Sequence, residues 1–194
     1  MLKFVICNTH MNQGVVSRVK NSVHLLSILS FFVVISISSA SEDADDRRRL
    51  AGHPKTSISQ LWELSKDSDW KVRQYLARNR KSPIELLDVL ASDKHHQVRI
   101  ATATNLSTES KTFLKLANDR EVQVRSVVAR FEYVPVEALA ILSKDTDTDI
   151  RIEVAKNLNT SKPTLETLSK DVQPEVAQAA HVGLQRLKDE MGAK

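Results

Sequence analysis

Two columns of charged residues recur along the chain every 26 positions, and they are its most obvious candidates for chemistry. A row of stacked guanidinium groups can bind carboxylates or phosphates through paired hydrogen bonds. A residue that is present in every repeat is explained more simply by a task that every repeat shares, because Asp can cap a helix start while it pairs with an Arg of its own or the next repeat. We therefore interpret as a structural ladder the columns Arg73, Arg99, Arg125 and Arg151, and Asp67, Asp93, Asp119, Asp145 and Asp171.

Asp93, His95 and His96 form a second candidate group, because imidazole and carboxylate are ligands for zinc or copper. Adjacent histidines point about 100° apart on a helix, and this position falls in the turn between two predicted helices, so a solvated turn is favoured. His53 and His181 are likewise interpreted as turn and cap residues. No serine-histidine-acid spacing, Gly-rich phosphate loop or carboxylate pair stands out from the repeat. The sequence thus predicts no catalytic residue, no metal ion and no cofactor.

Aromatic residues that occur only once in their columns are the candidate binding residues, because a shared scaffold does not require them. Trp and Tyr are common anchors at protein interfaces. The alternative is that they fill the core or cap the end of the stack. The candidates for binding a partner are Trp62, Trp70, Tyr75, Phe131 and Tyr133.

The frame that positions these residues is a repeat of two short helices, since its apolar positions recur at intervals of three and four residues. A Ser or Thr is predicted to cap the first helix, as in Ser82-Pro83-Ile84-Glu85, where Pro83 suits the first helical position and Glu85 completes a capping box. An Asn is predicted to end the second helix in the left-handed conformation. The cap column is Thr56, Ser82, Thr108 and Thr160, and the ending column is Asn79, Asn105 and Asn157, with Phe131 breaking it and Gly183 in the fifth repeat.

Stacking of the repeats must supply the stability, because helices of about nine residues are unstable alone in water. Each repeat buries its apolar face against its neighbours, and the end repeats carry more polar surfaces. The C-terminal repeat has Ala177 in the Arg column, and its last helix is predicted to run on through Asp189. Residues 47–66 fall in register as most of a first repeat. We therefore predict an all-α solenoid of about 5.5 two-helix repeats within residues 41–194.

The pattern Asp-x(4)-Val-Arg-x(3)-Ala at 67–77 resembles HEAT-like repeats and, more closely, the leucine-rich repeat variant family; the resemblance covers residues 47–183. It implies a right-handed superhelix and a role in interaction. The repeat here is slightly longer than that family's, and Arg80 stands where the family has proline, so one helix per repeat is either α or 3₁₀. The iron-sulfur cofactor associated with the family's founding member is not implied, because the only cysteine, Cys7, precedes the predicted mature chain.

The first 40 residues have the layout of a secretory leader. They contain Lys3, Arg18 and Lys20 but no acidic residue, and an apolar run over 23–37 leads to Ser38-Ser39-Ala40. We predict a signal peptide over 1–40 that is cleaved after Ala40, with Met11 as an alternative start. An uncleaved anchor is the other interpretation, but the run is shorter than the roughly 20 residues that cross a bilayer.

The charge that remains after cleavage is close to neutral. The formal net charge of the whole chain is +4, and three cations belong to the leader, so residues 41–194 keep 25 Lys and Arg against 24 Asp and Glu. Nucleic-acid binding normally needs a basic footprint that neutralises phosphates, so no nucleic-acid partner is expected.

The sequence as a whole predicts a non-catalytic scaffold that is exported to the periplasm or the medium. Its partner would be another protein or an extended peptide, and it would meet a membrane only through an uncleaved leader. Two alternatives stay open: a HEAT-like repeat enzyme such as a lyase, which would need a polar pocket that breaks the repeat, and an envelope-maintenance protein with no single defined partner.

Overall fold

The computed structural model describes residues 43–192, and this part of the chain consists of eleven helices joined by short turns. The predicted leader, 1–40, lies outside the described residues. The helices are α1 (43–52), α2 (Ile58–Leu64), α3 (Trp70–Arg78), α4 (Ile84–Leu90), α5 (His96–Ala103), α6 (Ser110–Ala117), α7 (Val122–Arg130), α8 (Val136–Leu142), α9 (Thr148–Lys156), α10 (Lys162–Leu168) and α11 (Pro174–Gly192).

Each repeat contains a short A helix and a longer B helix, and both are α-helices. Repeat 1 is α2 and α3, repeat 2 is α4 and α5, and the series continues to repeat 5, which is α10 and α11. Helix α1 is the B helix of a truncated repeat that precedes repeat 1. Consecutive B helices pack against one another from α3 to α11. The predicted all-α helical-repeat solenoid is therefore confirmed, and residues 26 positions apart lie side by side in neighbouring repeats.

The core occupies the space between the A helices and the B helices. In repeat 1 the side chains of Val72, Leu76 and Ala77 are fully buried, as the periodicity predicts. The buried apolar residues form two clusters, one over 51–101 and one over 91–180, and the division falls within repeat 2. Complete burial of one Leu or Val side chain contributes about 1.5–3 kcal/mol. The solenoid is therefore held mainly by contacts that no single helix could make.

The predicted capping of the A helices by the Ser and Thr column is wrong. Helix α4 begins at Ile84 with Pro83 as its cap, and no side chain caps it. The hydroxyl of Ser82 instead donates to the carbonyl oxygen of Leu76, 2.7 Å away in the preceding B helix. The last carbonyls of a helix lack partners within it, and the hydroxyl gives the Leu76 oxygen a second donor beside the backbone N–H of Asn79. The same bond joins Thr56 to Leu50, Thr108 to Thr102 and Thr160 to Val154.

The left-handed conformation predicted for the Asn column is also wrong. Asn79 has φ −71° and ψ 121°, which is extended, and no described non-glycine residue has a positive φ. Its side-chain amide donates to the carbonyls of Ala51 and His53 in the preceding repeat, at 2.8 and 3.2 Å. Asn105 and Asn157 make the equivalent pair of bonds to Ala77 and Asn79, and to Ala129 and Phe131. The column is therefore a second inter-repeat ladder, which we call the amide ladder.

Gly183 does not end the last B helix, which runs through it to Gly192. A Cβ atom at Gly183 would lie 2.9 Å from a Leu165 methyl carbon and 3.0 Å from the carbonyl oxygen of Ala155. The absence of a side chain thus lets α11 pack closely on the preceding repeat. The extension of this helix beyond the repeat length, which the sequence predicts, is confirmed.

Candidate interaction surface

The Arg and Asp columns form a continuous ladder between repeats. The Nε of Arg73 donates to Oδ2 of Asp93 at 2.6 Å and its Nη2 to Oδ1 at 2.9 Å. The links of Arg99, Arg125 and Arg151 to the next repeat are bidentate in the same way. The remaining Nη1 of these four arginines donates to the backbone carbonyl of the aspartate in its own repeat. The other links are Arg47 to Asp67, Arg99 to Asp119, Arg125 to Asp145 and Arg151 to Asp171.

Burial and pairing set the electrostatics of this ladder. The side chains of Arg73 and Arg99 are each only 5% exposed. Burial raises the pKa of Asp93, but the hydrogen bonds from Arg73 and from the backbone N–H of His95 outweigh it and hold that pKa below its usual value. Arg151 likewise lowers the pKa of Asp171. These donors are already engaged within the protein, so the ladder has a structural role.

One detail of the ladder departs from the prediction, because its aspartates do not cap the B helices. Each accepts the backbone N–H two residues further on, as Asp93 does from His95 at 2.8 Å. In α3, α5 and α9 the residue that donates this N–H is the N-cap, and Asp69, His95 and Asp147 cap their helices with their own side chains. The ladder aspartate therefore orients the capping residue while its carboxylate stays with the arginine.

The histidine group takes part in this capping. Nδ1 of His95 accepts the backbone N–H of Gln97 at 3.3 Å, and its ring stacks on Trp70 with centroids 4.0 Å apart and planes 2° from parallel. Burial, followed by the charge of His96, lowers the pKa of His95. Within residues 43–192 no three His, Cys, Asp or Glu side chains converge in a way that could hold a metal ion.

Three of the five candidate aromatic residues lie in repeat 1, one on the A helix and two on the B helix. Trp62 belongs to the A helix and Trp70 starts the B helix; both are half-buried and pack on the first core cluster. Tyr75 projects from the B helix with 44% of its surface exposed. A Cβ atom added to Gly52 would lie 3.2 Å from its ring, so Tyr75 lies against α1. The repeat-1 aromatics thus contribute to packing from both helices of this repeat.

Phe131 and Tyr133 are the two candidates that the structure brings together. Phe131 is half-buried and stacks on Phe113, with ring centroids 5.8 Å apart, while Tyr133 meets its edge at 5.7 Å. Tyr133 is 62% exposed, and a hydrogen bond to the neighbouring Glu132 carboxylate raises its pKa. The pair therefore presents one exposed ring on a buried aromatic base.

Tyr133 belongs to a row of exposed apolar residues in the turns that follow the B helices. Leu106 is 61% exposed and Leu158 is 71% exposed, so repeats 2, 3 and 4 each present one large apolar side chain here. An exposed cation lies in the same turn as Tyr133 and as Leu158, and the repeat-1 turn contains three. We define the basic edge as Arg78, Arg80, Lys81, Leu106, Arg130, Tyr133, Lys156 and Leu158.

The cations at the repeat-1 end of the basic edge are exposed and unengaged. Among the described residues, the side chains of Arg78, Arg80 and Lys81 form no hydrogen bond or ion pair. Arg78 and Arg80 line a shallow cavity of about 130 Å³ together with Leu106, Thr104 and Asn105. Guanidinium donors beside an apolar side chain can receive a carboxylate and its neighbouring apolar group.

The turns on the opposite edge, which precede the B helices, have a different charge balance. On the basic edge, the turns of repeats 1–4 contain five cations and two anions. These turns are residues 78–83, 104–109, 130–135 and 156–161. On the opposite edge, the turns contain four cations and seven anions, and four of those anions are ladder aspartates. These turns are residues 65–70, 91–96, 117–122 and 143–148. Positive charge without ladder partners is therefore concentrated on one edge.

Sequence reasoning missed Leu106 and Leu158 as surface residues. Both follow an Asn of the amide ladder, at a position where the repeat has Arg80 and Glu132. The sequence could have indicated them, because a leucine between polar residues in a turn is unusual. The apolar residues of the neighbouring helices already fill the core.

Two solved structures are similar to this chain. No known protein family matches the chain, and neither does any curated protein. A solved structure described as a leucine-rich repeat variant with a novel repetitive structural motif is 23% identical, with a TM-score of 0.39, over 71% of this chain and 65% of that one. An engineered protein is 19% identical, with a TM-score of 0.44, over 76% of this chain and 90% of its own. This chain therefore spans less than two thirds of the length of the leucine-rich repeat variant.

No helix within the described residues is long and apolar enough to cross a membrane.

Proposed function

We propose that this protein is an exported, non-catalytic scaffold that binds another protein. The observation that carries the proposal is the basic edge, where Leu106, Tyr133 and Leu158 are each more than 60% exposed beside exposed cations. Single exposed apolar residues are ordinary on a soluble protein, but a row of them in successive repeats marks a surface that a partner covers. Repeat solenoids commonly bind partners along such extended surfaces.

The export part of the proposal rests on the composition of residues 1–40. Cell fractionation and N-terminal sequencing of the protein test it. We expect a mature chain that begins at Ser41 outside the cytoplasm, because the small residues Ser38-Ser39-Ala40 are of the kind that a signal peptidase reads. A cytoplasmic chain that retains residues 1–40 would contradict export and leave the binding proposal standing.

Affinity capture tests the binding part. Tagged protein is recovered from an envelope or medium extract, and bound proteins are identified by mass spectrometry. We expect one protein near equimolar amount, which is lost with Leu106→Ser combined with Leu158→Ser and kept with Val172→Ser. Val172 is the matched control because it is 88% exposed in a turn on the opposite edge. No enriched protein, in the presence of chemical cross-linking as well, would contradict the scaffold proposal.

A further inference from the structure

We infer that the basic edge binds an extended, acidic segment of the partner in which apolar side chains follow the acidic ones. This inference rests on the proposed scaffold function and adds the chemistry of what is bound. The acidic residues would lie at repeat 1, and the apolar residues would lie along repeats 2, 3 and 4. The order follows from the order of charges and apolar groups along the edge.

The acidic end of the segment is assigned by Arg78, Arg80 and Lys81. Their side chains are exposed and have no acidic partner among the described residues, and the turn 78–83 contains no acidic residue. The cavity between Arg78, Arg80 and Leu106 is about 130 Å³, which accommodates a carboxylate but not a folded element. Arginine binds carboxylates through two parallel hydrogen bonds, so it fixes orientation as well as charge.

The apolar part of the segment is assigned by the spacing of the repeats. Leu106, Tyr133 and Leu158 occupy consecutive repeats, whose packed helices lie roughly 8–10 Å apart. An extended chain in the polyproline II conformation advances about 3.1 Å per residue with three residues per turn, so every third residue of a bound segment would face the next repeat. A helix would advance only about 1.5 Å per residue and would bring its apolar residues to the edge in a different register. The edge thus fits an extended segment of about ten to twelve residues.

An anionic membrane or a nucleic acid fits this edge less well than a peptide does. Glu132 lies beside Tyr133, and Glu109 is exposed in the repeat-2 turn, so both would face lipid or nucleic-acid phosphates. Phosphate binding depends on many cations acting together, and this edge separates its cations with apolar groups and these two carboxylates. A single extended chain can place its own residues between them.

A synthetic peptide tests the inference directly. The probe is a fluorescent peptide of about twelve residues with three consecutive Glu residues followed by Leu at every third position, and binding to the full chain is followed by fluorescence anisotropy. We expect saturable binding that the double variant Arg78→Glu with Arg80→Glu weakens at least about tenfold, since the charges become repulsive. Leu106→Ser should weaken binding several-fold, and higher salt should reduce the affinity of the wild type.

Two variants on the opposite edge are the matched controls. Lys94→Glu reverses an exposed cation, and Val172→Ser removes an exposed apolar group, so both should leave the affinity unchanged. Thermal unfolding followed by circular dichroism checks that every variant is folded. A charge-reversed peptide with Lys in place of Glu should not bind.

The inference is overturned if the Lys peptide binds as well as the Glu peptide, if the two controls weaken binding as much as the basic-edge variants, or if anionic phospholipid vesicles bind and the peptide does not. Failure of the scaffold proposal is a different result. A partner that is captured equally by the wild type and by the Arg78→Glu, Arg80→Glu variant would support the scaffold and contradict the acidic segment, whereas absence of any partner contradicts the scaffold itself.

Discussion

The junction between repeats 1 and 2 differs from the junction between repeats 2 and 3 in how the backbones are joined. Both have a bidentate Arg–Asp link, from Arg73 and from Arg99. Only the first has an amide link, because Asn105 donates to the carbonyls of Ala77 and Asn79. At the second junction the equivalent residue is Phe131, which has no side-chain N–H to donate.

Aromatic packing takes the place of the missing amide link. Phe131 stacks on Phe113, which occupies a column that holds Leu61, Leu87 and Leu139 in other repeats. The second core cluster takes only the small residues Ala91 and Ala103 from the buried core of repeat 2. Neighbouring repeats of the same length can therefore be joined by directional hydrogen bonds or by the packing of large side chains. The aromatic packing also positions Tyr133 on the surface.

Removal of the arginine link should give the largest effect on stability. Arg99→Ala leaves the Asp119 carboxylate buried without its partner, and breaking a buried ion pair costs about 3–5 kcal/mol. We expect a loss of this size in the free energy of unfolding, measured by urea denaturation, and a loss at least as large as for Arg73→Ala. If Arg99→Ala were clearly milder than Arg73→Ala, the second junction would depend less on its arginine link than the first junction does.

Removal of the amide link should give the next largest effect. Asn105→Ala leaves the Ala77 carbonyl without its donor, and an unsatisfied buried polar group costs about 1–3 kcal/mol. Hydrogen exchange should show faster opening of α3 and α5 in this variant. Asn159→Ala is the control, because the hydrogen bond of its side-chain amide to the Glu132 carbonyl lies in an exposed turn and should contribute less. Equal effects of the two variants would argue against the amide ladder.

Truncation of Phe131, which replaces the amide link at the second junction, should give the third largest loss of stability. Phe131→Ala removes a half-buried ring from the second junction, and we expect a loss of about 2 kcal/mol, below the roughly 3–5 kcal/mol of a fully buried phenylalanine. Near-ultraviolet circular dichroism should also change, because the rings of Phe113 and Tyr133 lose a neighbour. An unchanged unfolding midpoint would mean that the aromatic cluster does not replace the amide link.

Acid should weaken the junctions through the ladder carboxylates. The folded-state pKa of Asp93 and of Asp171 is lowered, so the stability that they contribute is complete above the unfolded pKa of about 4 and is lost as the pH falls through the folded value. We expect the urea midpoint to fall between about pH 5 and pH 3. Asp93→Asn should be less stable than wild type at neutral pH and should show a smaller change over that interval, whereas an identical pH dependence would exclude Asp93 as a contributor.

Much of the fold could be predicted from the sequence, because the repeat averages information over five copies. The periodicity predicted the two helices, the buried columns such as Val72 and Ala77, and the pairing of Arg with Asp. The roles of Ser82 and Asn79 were predicted wrongly for a shared reason. Both were predicted from rules for helix ends, which consider only residues close in sequence. Ser82 instead bonds to a carbonyl six residues back, and Asn79 bonds to carbonyls in another repeat.

The sequence by itself determined the repeat length, the helical content and the columns that must be buried, since these depend on residue spacing that every copy repeats. Only the tertiary structure decided which edge each turn occupies and which polar groups remain unengaged. Leu106 and Arg80 form a shared surface only because stacking places their turns side by side, while the ladder arginines are paired with aspartates. Surface chemistry depends on neighbours that are 26 positions away in the chain, and those neighbours meet only after the repeats have packed.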